Sequence, residues 1–170
     1  MDGLLRYVVI AALAAVMLAS GTPPGYLSGD GSWLLRASTY SLFHASWWHL
    51  AVNAIAVWTL LPRRGRWKRY LSELAVAYLI AVLVFPVALR PVVGFSNVLY
   101  AVIGLRTPAL SSPWWRKPQV IVFLAVTAAL VVVPSFSATT HIAAFVLGAL
   151  GAALKRSIDK VTSDVRRLVR

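Results

Sequence analysis

Residues 94–108 read Gly94-Phe95-Ser96-Asn97-Val98-Leu99-Tyr100-Ala101-Val102-Ile103-Gly104-Leu105-Arg106-Thr107-Pro108, an apolar run opened by a glycine and closed by a charge and a proline. Roughly 11 to 15 residues of helix fit between those bounds, about 16 to 22 Å at 1.5 Å per residue, against a hydrocarbon core of about 30 Å. In a bilayer such a helix leaves its first residues below the membrane surface, with the stretch from Pro91 to Phe95 descending to meet it. Irregular backbone at that depth is tolerated only where protein buries it or a water-filled cavity solvates it. The run therefore predicts an aqueous pocket with Ser96 at its floor.

The rest of the chain makes a bilayer the expected solvent. Of 170 residues, 59% are hydrophobic and 13% charged, too apolar for a soluble domain that must cover itself with polar groups. Further apolar runs flank the short one, giving expected spans at 4–20, 41–61, 70–89, 95–110, 118–134 and 138–155. The expected fold is thus an all-α membrane protein, a single six-helix bundle over residues 1–170. A net charge of +12 suggests nucleic acid in a soluble chain, but here the basic residues fall in short clusters between apolar runs, so the pattern is topological and no nucleic acid is expected. With the amino terminus in the cytoplasm, all Lys and Arg residues except Arg36 and Arg90 lie on the inner side, which places both termini in the cytoplasm. The first span also has the outline of a signal peptide, but Met17 and Ala19 make a poor small-x-small cleavage site. The segment 21–40, with Pro23, Pro24 and several glycines before Trp33, reads as an outer loop dipping into the interface. The residues from Lys155 onward read as the last helix running into water as a basic amphipathic end. Cysteine is absent, so thiol nucleophiles and disulfides are excluded.

Polar residues inside spans are costly and point to function. His44, His49 and Asn53 open the second span, Ser96 and Asn97 the fourth, and His141 the sixth, and all three spans enter from outside. His49 and Asn53, four apart, share a helix face, whereas His44 points elsewhere or lies in the helix entry. Along the sixth span His141, Ala144, Gly148 and Ala152 form a strip of small residues below the histidine, and the fourth offers Ser96, Tyr100 and Gly104 at matching spacing. Two such strips pack closely and set Ser96 opposite His141, a nucleophile beside its base.

These residues resemble the rhomboid family of intramembrane serine proteases. His44-Ala-Ser-Trp-Trp-His49-Leu-Ala-Val-Asn53 is similar to its H-x4-H-x3-N signature, Gly94-Phe95-Ser96 with Tyr100 and Gly104 to its serine region, and His141 to Gly148 to its histidine helix. Arg36, eight residues before His44, matches a family arginine. The resemblance covers spans two to six in order. It implies that Ser96 attacks a peptide carbonyl while His141 takes the proton, that Tyr100 packs on the histidine, and that the oxyanion is held by the Ser96 N–H with the His49 and Asn53 side chains. It implies no cofactor and no metal. The implied partners are single-span membrane proteins reaching the site laterally from the lipid bilayer past span five, cut near the outer boundary. The implied location is a multi-pass position in a prokaryotic cell (inner) membrane. His44 is expected to be structural, and Ser135, Ser137, Thr139 and Thr140 to admit water.

The sequence departs from the family at Asn97, where the motif usually has glycine, and at Ala144 and Leu35, where it usually has glycine and tryptophan. Asn97 either contributes to the pocket or distorts it, and a catalytically inactive relative that binds membrane clients is the competing expectation. A zinc site on His44, His49 and His141 leaves Ser96 without a purpose.

Overall fold

A computed structural model describes residues 4–20, 32–61, 67–88, 93–106, 125 and 138–168. Among these the chain is entirely helical, with α1 at Leu4–Ser20, α2 at Trp33–Thr39, α3 at Trp47–Leu60, α4 at Trp67–Val84, α5 at Ser96–Arg106 and α6 at Ala138–Leu168. The expected fifth span, 118–134, lies outside the described residues, Ala125 apart.

The element bounds correct several expectations, each for a local reason. The outer loop expected over 21–40 holds a helix, because Ser32 caps α2 by accepting the Leu35 N–H at 3.2 Å. The second span was expected from residue 41, yet α3 starts at Trp47. Residues 40–42 form a 3-10 turn, and Ser46 caps α3 by accepting the His49 N–H at 3.1 Å, which leaves His44 off the helix. The third span was expected over 70–89. Its helix runs from Trp67 to Val84 and then tightens into a 3-10 turn at Phe85–Val87, where Pro86 offers no N–H to continue the α-helical ladder. The fourth, expected over 95–110 with roughly 11 to 15 residues of helix, has 11 described helical residues at Ser96–Arg106, and residues 107–110 lie outside the described residues. The sixth, expected over 138–155 with its helix running on into a basic tail, does so, unbroken for 31 residues to Leu168.

The short α5 is the centre of the bundle, with every residue from Asn97 to Gly104 buried. It packs on α6, α4 and α3, while α1 lies against α3. The core around it draws Leu13 and Met17 from α1, Val57 from α3, Ala77, Ala81 and Val84 from α4, and Ala144 from α6. The exterior is apolar as well. Ile55, Leu79, Leu83 and Ile142 are 65%, 61%, 69% and 62% exposed, while His44, Asn53, Asn97 and His141 are buried. Large apolar side chains outside and polar ones inside suit lipid as the solvent. By length and composition the segments Tyr70–Val87 and Ala138–Leu168 are long and apolar enough to cross a membrane, and α1 is a shorter apolar helix.

The closest approach is between α5 and α6. A Cβ on Gly104 would collide with the Phe145 carbonyl and stand 2.9 Å from the Ala149 nitrogen, and one on Gly148 would collide with the Ala101 carbonyl. The two backbones therefore touch, as the strips of small residues anticipate. At the other end of α5, both oxygens of Glu73 accept from Arg106 at 2.7 Å. Arg106 Nη1 also donates to the Leu60 carbonyl at 2.5 Å, and the buried Arg6 donates to that of Leu61 at 2.7 Å. Two arginines thus satisfy carbonyls that α3 leaves open at its C-terminus.

Gly104→Val is expected to destabilise the bundle by about 1–3 kcal/mol through overpacking. Gly151→Ala, whose added carbon meets only Leu105 Cδ2 at 3.9 Å, should stay within about 0.5 kcal/mol. Thermal unfolding in detergent measures both, and equal melting of Gly104→Val and wild type would refute the close crossing.

Candidate active site

The crossing of α5 and α6 sets the height of the site. Gly104 lies eight residues below Ser96 and Gly148 seven below His141, about 12 and 10.5 Å along their helices. The tops of the two helices therefore come level, and His141 Nε2 stands 2.7 Å from Ser96 Oγ. Ser96 is the first residue of α5, where the helix leaves backbone N–H groups without intrahelical partners and the positive end of its dipole favours negative charge. Ser96 is half-buried and His141 is 6% exposed, so the pair is screened yet reachable. The Tyr100 ring, one turn below Ser96, meets the His141 ring edge-on with centroids 4.8 Å apart at 79°. That contact orients the imidazole by packing. Among the described carboxylates, Glu73 is held by Arg106 and Asp159 by Lys155, and Asp164 lies far down the α6 tail.

The backbone leading into Ser96 is irregular, and glycine is required there. Gly94 has φ +117°, in the region that L side chains rarely adopt. A Cβ at Gly94 would lie 2.5 Å from His49 Cε1, 2.6 Å from His49 Nε2 and 3.5 Å from Asn53 Nδ2. The imidazole thus fills the space a side chain at 94 would need, with the Asn53 amide next to it. Asn53 Nδ2 donates to the His49 carbonyl at 3.0 Å, which fixes the two residues together through one of the two amide protons. His49 Nδ1 accepts from the Ala45 N–H at 3.4 Å, a long contact that assigns the proton to Nε2, the atom facing Gly94. His44, fully buried, stacks edge-on against His49 with ring centroids 5.2 Å apart.

The structure therefore brings Ser96, His141 and Tyr100 into one group and Gly94, His49, Asn53 and His44 into a second beside it. The three histidines do not converge, and among the described residues no cluster of side chains is arranged to hold a metal ion. Asn97 belongs to neither group. Its Nδ2 donates to the Tyr40 hydroxyl at 2.9 Å, away from the Ser96–His141 contact. Tyr40 is the residue that sequence reasoning missed. It sits 57 positions from Asn97, and its only sequence signal is an aromatic hydroxyl placed just before the histidine motif. Arg36 lies on α2. Of the hydroxyls expected to admit water, Ser135 and Ser137 lie outside the described residues. Thr139 Oγ1 donates to the Val87 carbonyl at 3.3 Å, and Thr140 is buried.

Compared with known protein families, the chain matches the Rhomboid domain over residues 32–157. No curated protein matches it.

The geometry around Gly94 predicts that Gly94→Ala lowers the rate at which a fluorophosphonate labels Ser96 by roughly 10²–10³, the usual loss when one oxyanion donor is displaced. Val93→Ala next to it should label at the wild-type rate. Intact-mass kinetics measures both, and unchanged labelling of Gly94→Ala would separate His49 and Asn53 from Ser96.

Proposed function

The chain belongs to the rhomboid family, and we propose that it is an intramembrane serine endopeptidase that cuts single-span membrane proteins near the outer boundary of the bilayer. The observation that carries this reading is the 2.7 Å contact between His141 Nε2 and Ser96 Oγ at the amino end of a buried helix. In the reaction Ser96 Oγ attacks the scissile carbonyl while His141 Nε2 takes its proton. The oxyanion that forms sits at the start of α5, held by the Ser96 N–H, the His49 imidazole and the second Asn53 amide proton. His141 then returns the proton to the leaving amine, and a water repeats the sequence to release the acyl group. No described carboxylate lies against the imidazole and the Tyr100 ring packs on it edge-on, so the pair acts as a dyad.

The proposed topology is six spans with both termini in the cytoplasm, in a prokaryotic cell membrane, because the basic residues gather on one side of the expected spans. The site end of α5, α3 and α6 then faces outward. Substrate arrives from the lipid, past span five, by analogy with the family. The competing reading is an inactive member of the family that binds membrane clients without cutting them, and the specific observation in its favour is asparagine at position 97.

Purified protein in detergent, given a generic single-span substrate, should cleave it, and Ser96→Ala or His141→Ala should each lower the rate by roughly 10⁴-fold or more. Identical cleavage and fluorophosphonate labelling in all three proteins would remove the protease reading. Capture of the intact substrate with no product from wild type would favour the client-binding one.

A further inference from the structure

Position 97, directly after the candidate nucleophile, carries a buried amide whose partner is neither solvent nor substrate. Asn97 is 2% exposed and Tyr40 1%. Asn97 Nδ2 lies 2.9 Å from the Tyr40 hydroxyl, and that hydroxyl lies 2.9 Å from the Ala81 carbonyl on α4. A phenol has one proton. The Ala81 carbonyl can only accept, so it takes that proton, and the amide of Asn97 must be the donor to the phenol oxygen. The result is a directed chain, Asn97 N–H to Tyr40 O–H to Ala81 C=O, running from α5 through the turn before α3 to α4. The backbone of the same tyrosine adds a second link, because the Tyr40 carbonyl accepts the Gly94 N–H at 3.0 Å.

Tyr40 therefore grips the Ser96 segment on both sides, two residues before the serine and one after it. Its ring is in turn fixed against Phe85, with centroids 5.1 Å apart. We propose that Tyr40 and Asn97 are positioning residues that hold the Ser96 turn in register with α4, so that asparagine at 97 supports the site and does not disable it. Neither touches the reacting atoms. They act through the position of Ser96 Oγ relative to His141 and of the Gly94–Ser96 backbone relative to His49. The catalytic consequence rests on the protease reading above, whereas the tether itself does not.

The test compares wild type, Tyr40→Phe, Asn97→Gly and the double variant as purified full-length protein in detergent. Amide hydrogen exchange over residues 93–97 reports the tether without any catalysis, and fluorophosphonate labelling and substrate cleavage, each normalised to folded protein, report its effect on Ser96. Losing one buried hydrogen bond is expected to speed exchange of the Gly94 amide about tenfold and to slow labelling about tenfold. Cleavage should lose kcat with KM unchanged, and the double variant should fall no further than the weaker single, because both substitutions cut one chain. A purely structural role would lower the melting temperature and leave labelling per folded molecule unchanged. Unchanged exchange in Tyr40→Phe, labelling of Asn97→Gly equal to or faster than wild type, or losses that multiply in the double variant would each overturn the proposal. If wild type labels no faster than Ser96→Ala, the protease reading fails by itself, and the exchange rates alone then decide whether the tether exists.

Discussion

The contact on which the rest of the structure depends is the backbone-to-backbone crossing of α5 and α6 at Gly104 and Gly148. In lipid, apolar side chains gain nothing by leaving the solvent for another helix, so association rests on dispersion between well-fitted surfaces and on hydrogen bonds. Glycine on both helices gives the closest fit available. It also removes the freedom to slide, since a shift of one residue in either helix would drive a Cβ into the partner's carbonyl. The register fixed there is what brings Ser96 level with His141 about two turns above.

A helix of 11 residues cannot anchor itself by length, so α5 is held at each end by specific polar contacts. At its upper end the Gly94 N–H and the Asn97 amide both reach Tyr40. At its lower end Arg106 grips Glu73 with two parallel bonds and donates a third to the Leu60 carbonyl. Arginine suits that place because its planar fork satisfies a carboxylate and a helix carbonyl at once. Arg6 does the same for Leu61 and rests its guanidinium 4.5 Å from the centre of the Trp58 ring. A charge as buried as that of Arg6 is costly unless acceptors match it, and the open carbonyl at the end of α3 supplies one.

Much of this was legible in the sequence, and the reasons differ from residue to residue. The shortness of α5 followed from Gly94 and Arg106, because helix boundaries set by glycine, proline and charge are local. The facing of α5 and α6 followed from small residues at three- and four-residue spacing, a periodicity that survives folding. The rhomboid family itself was legible from three motifs in order, and its domain matches residues 32–157. The start of α3 was not, since the apolar run continues through residues 41–46 while the helix waits for the Ser46 cap. The helix at 33–39 was missed for the same reason, as its cap at Ser32 sits among turn-forming residues. Tyr40 and the Glu73–Arg106 pair were invisible because their partners lie 33 to 57 residues away. Hydrogen bonds over such distances leave no periodic trace.

The asparagine beside Ser96 shows why a departure from a family pattern has to be judged by its environment. A glycine at position 97 would bring no polar group and ask for no partner. An asparagine brings an amide into a site where water does not reach, and an unmatched amide there costs about 1–3 kcal/mol. Tyr40 meets the Nδ2 half of that demand, and the Ala81 carbonyl meets the demand of Tyr40 in turn, while the buried Asn97 Oδ1 finds no hydrogen-bond donor among the described residues. Phenylalanine at 40 would fill the same space and leave the amide stranded, so residues 40 and 97 form one unit and neither is neutral on the background of the other. With asparagine at 97 the Ser96 turn is joined to α4 by a hydrogen-bonded path that a glycine could not make. That path ends beside the Ser96–His141 contact of 2.7 Å, so the amide at 97 and the turn that presents Ser96 share one set of supports.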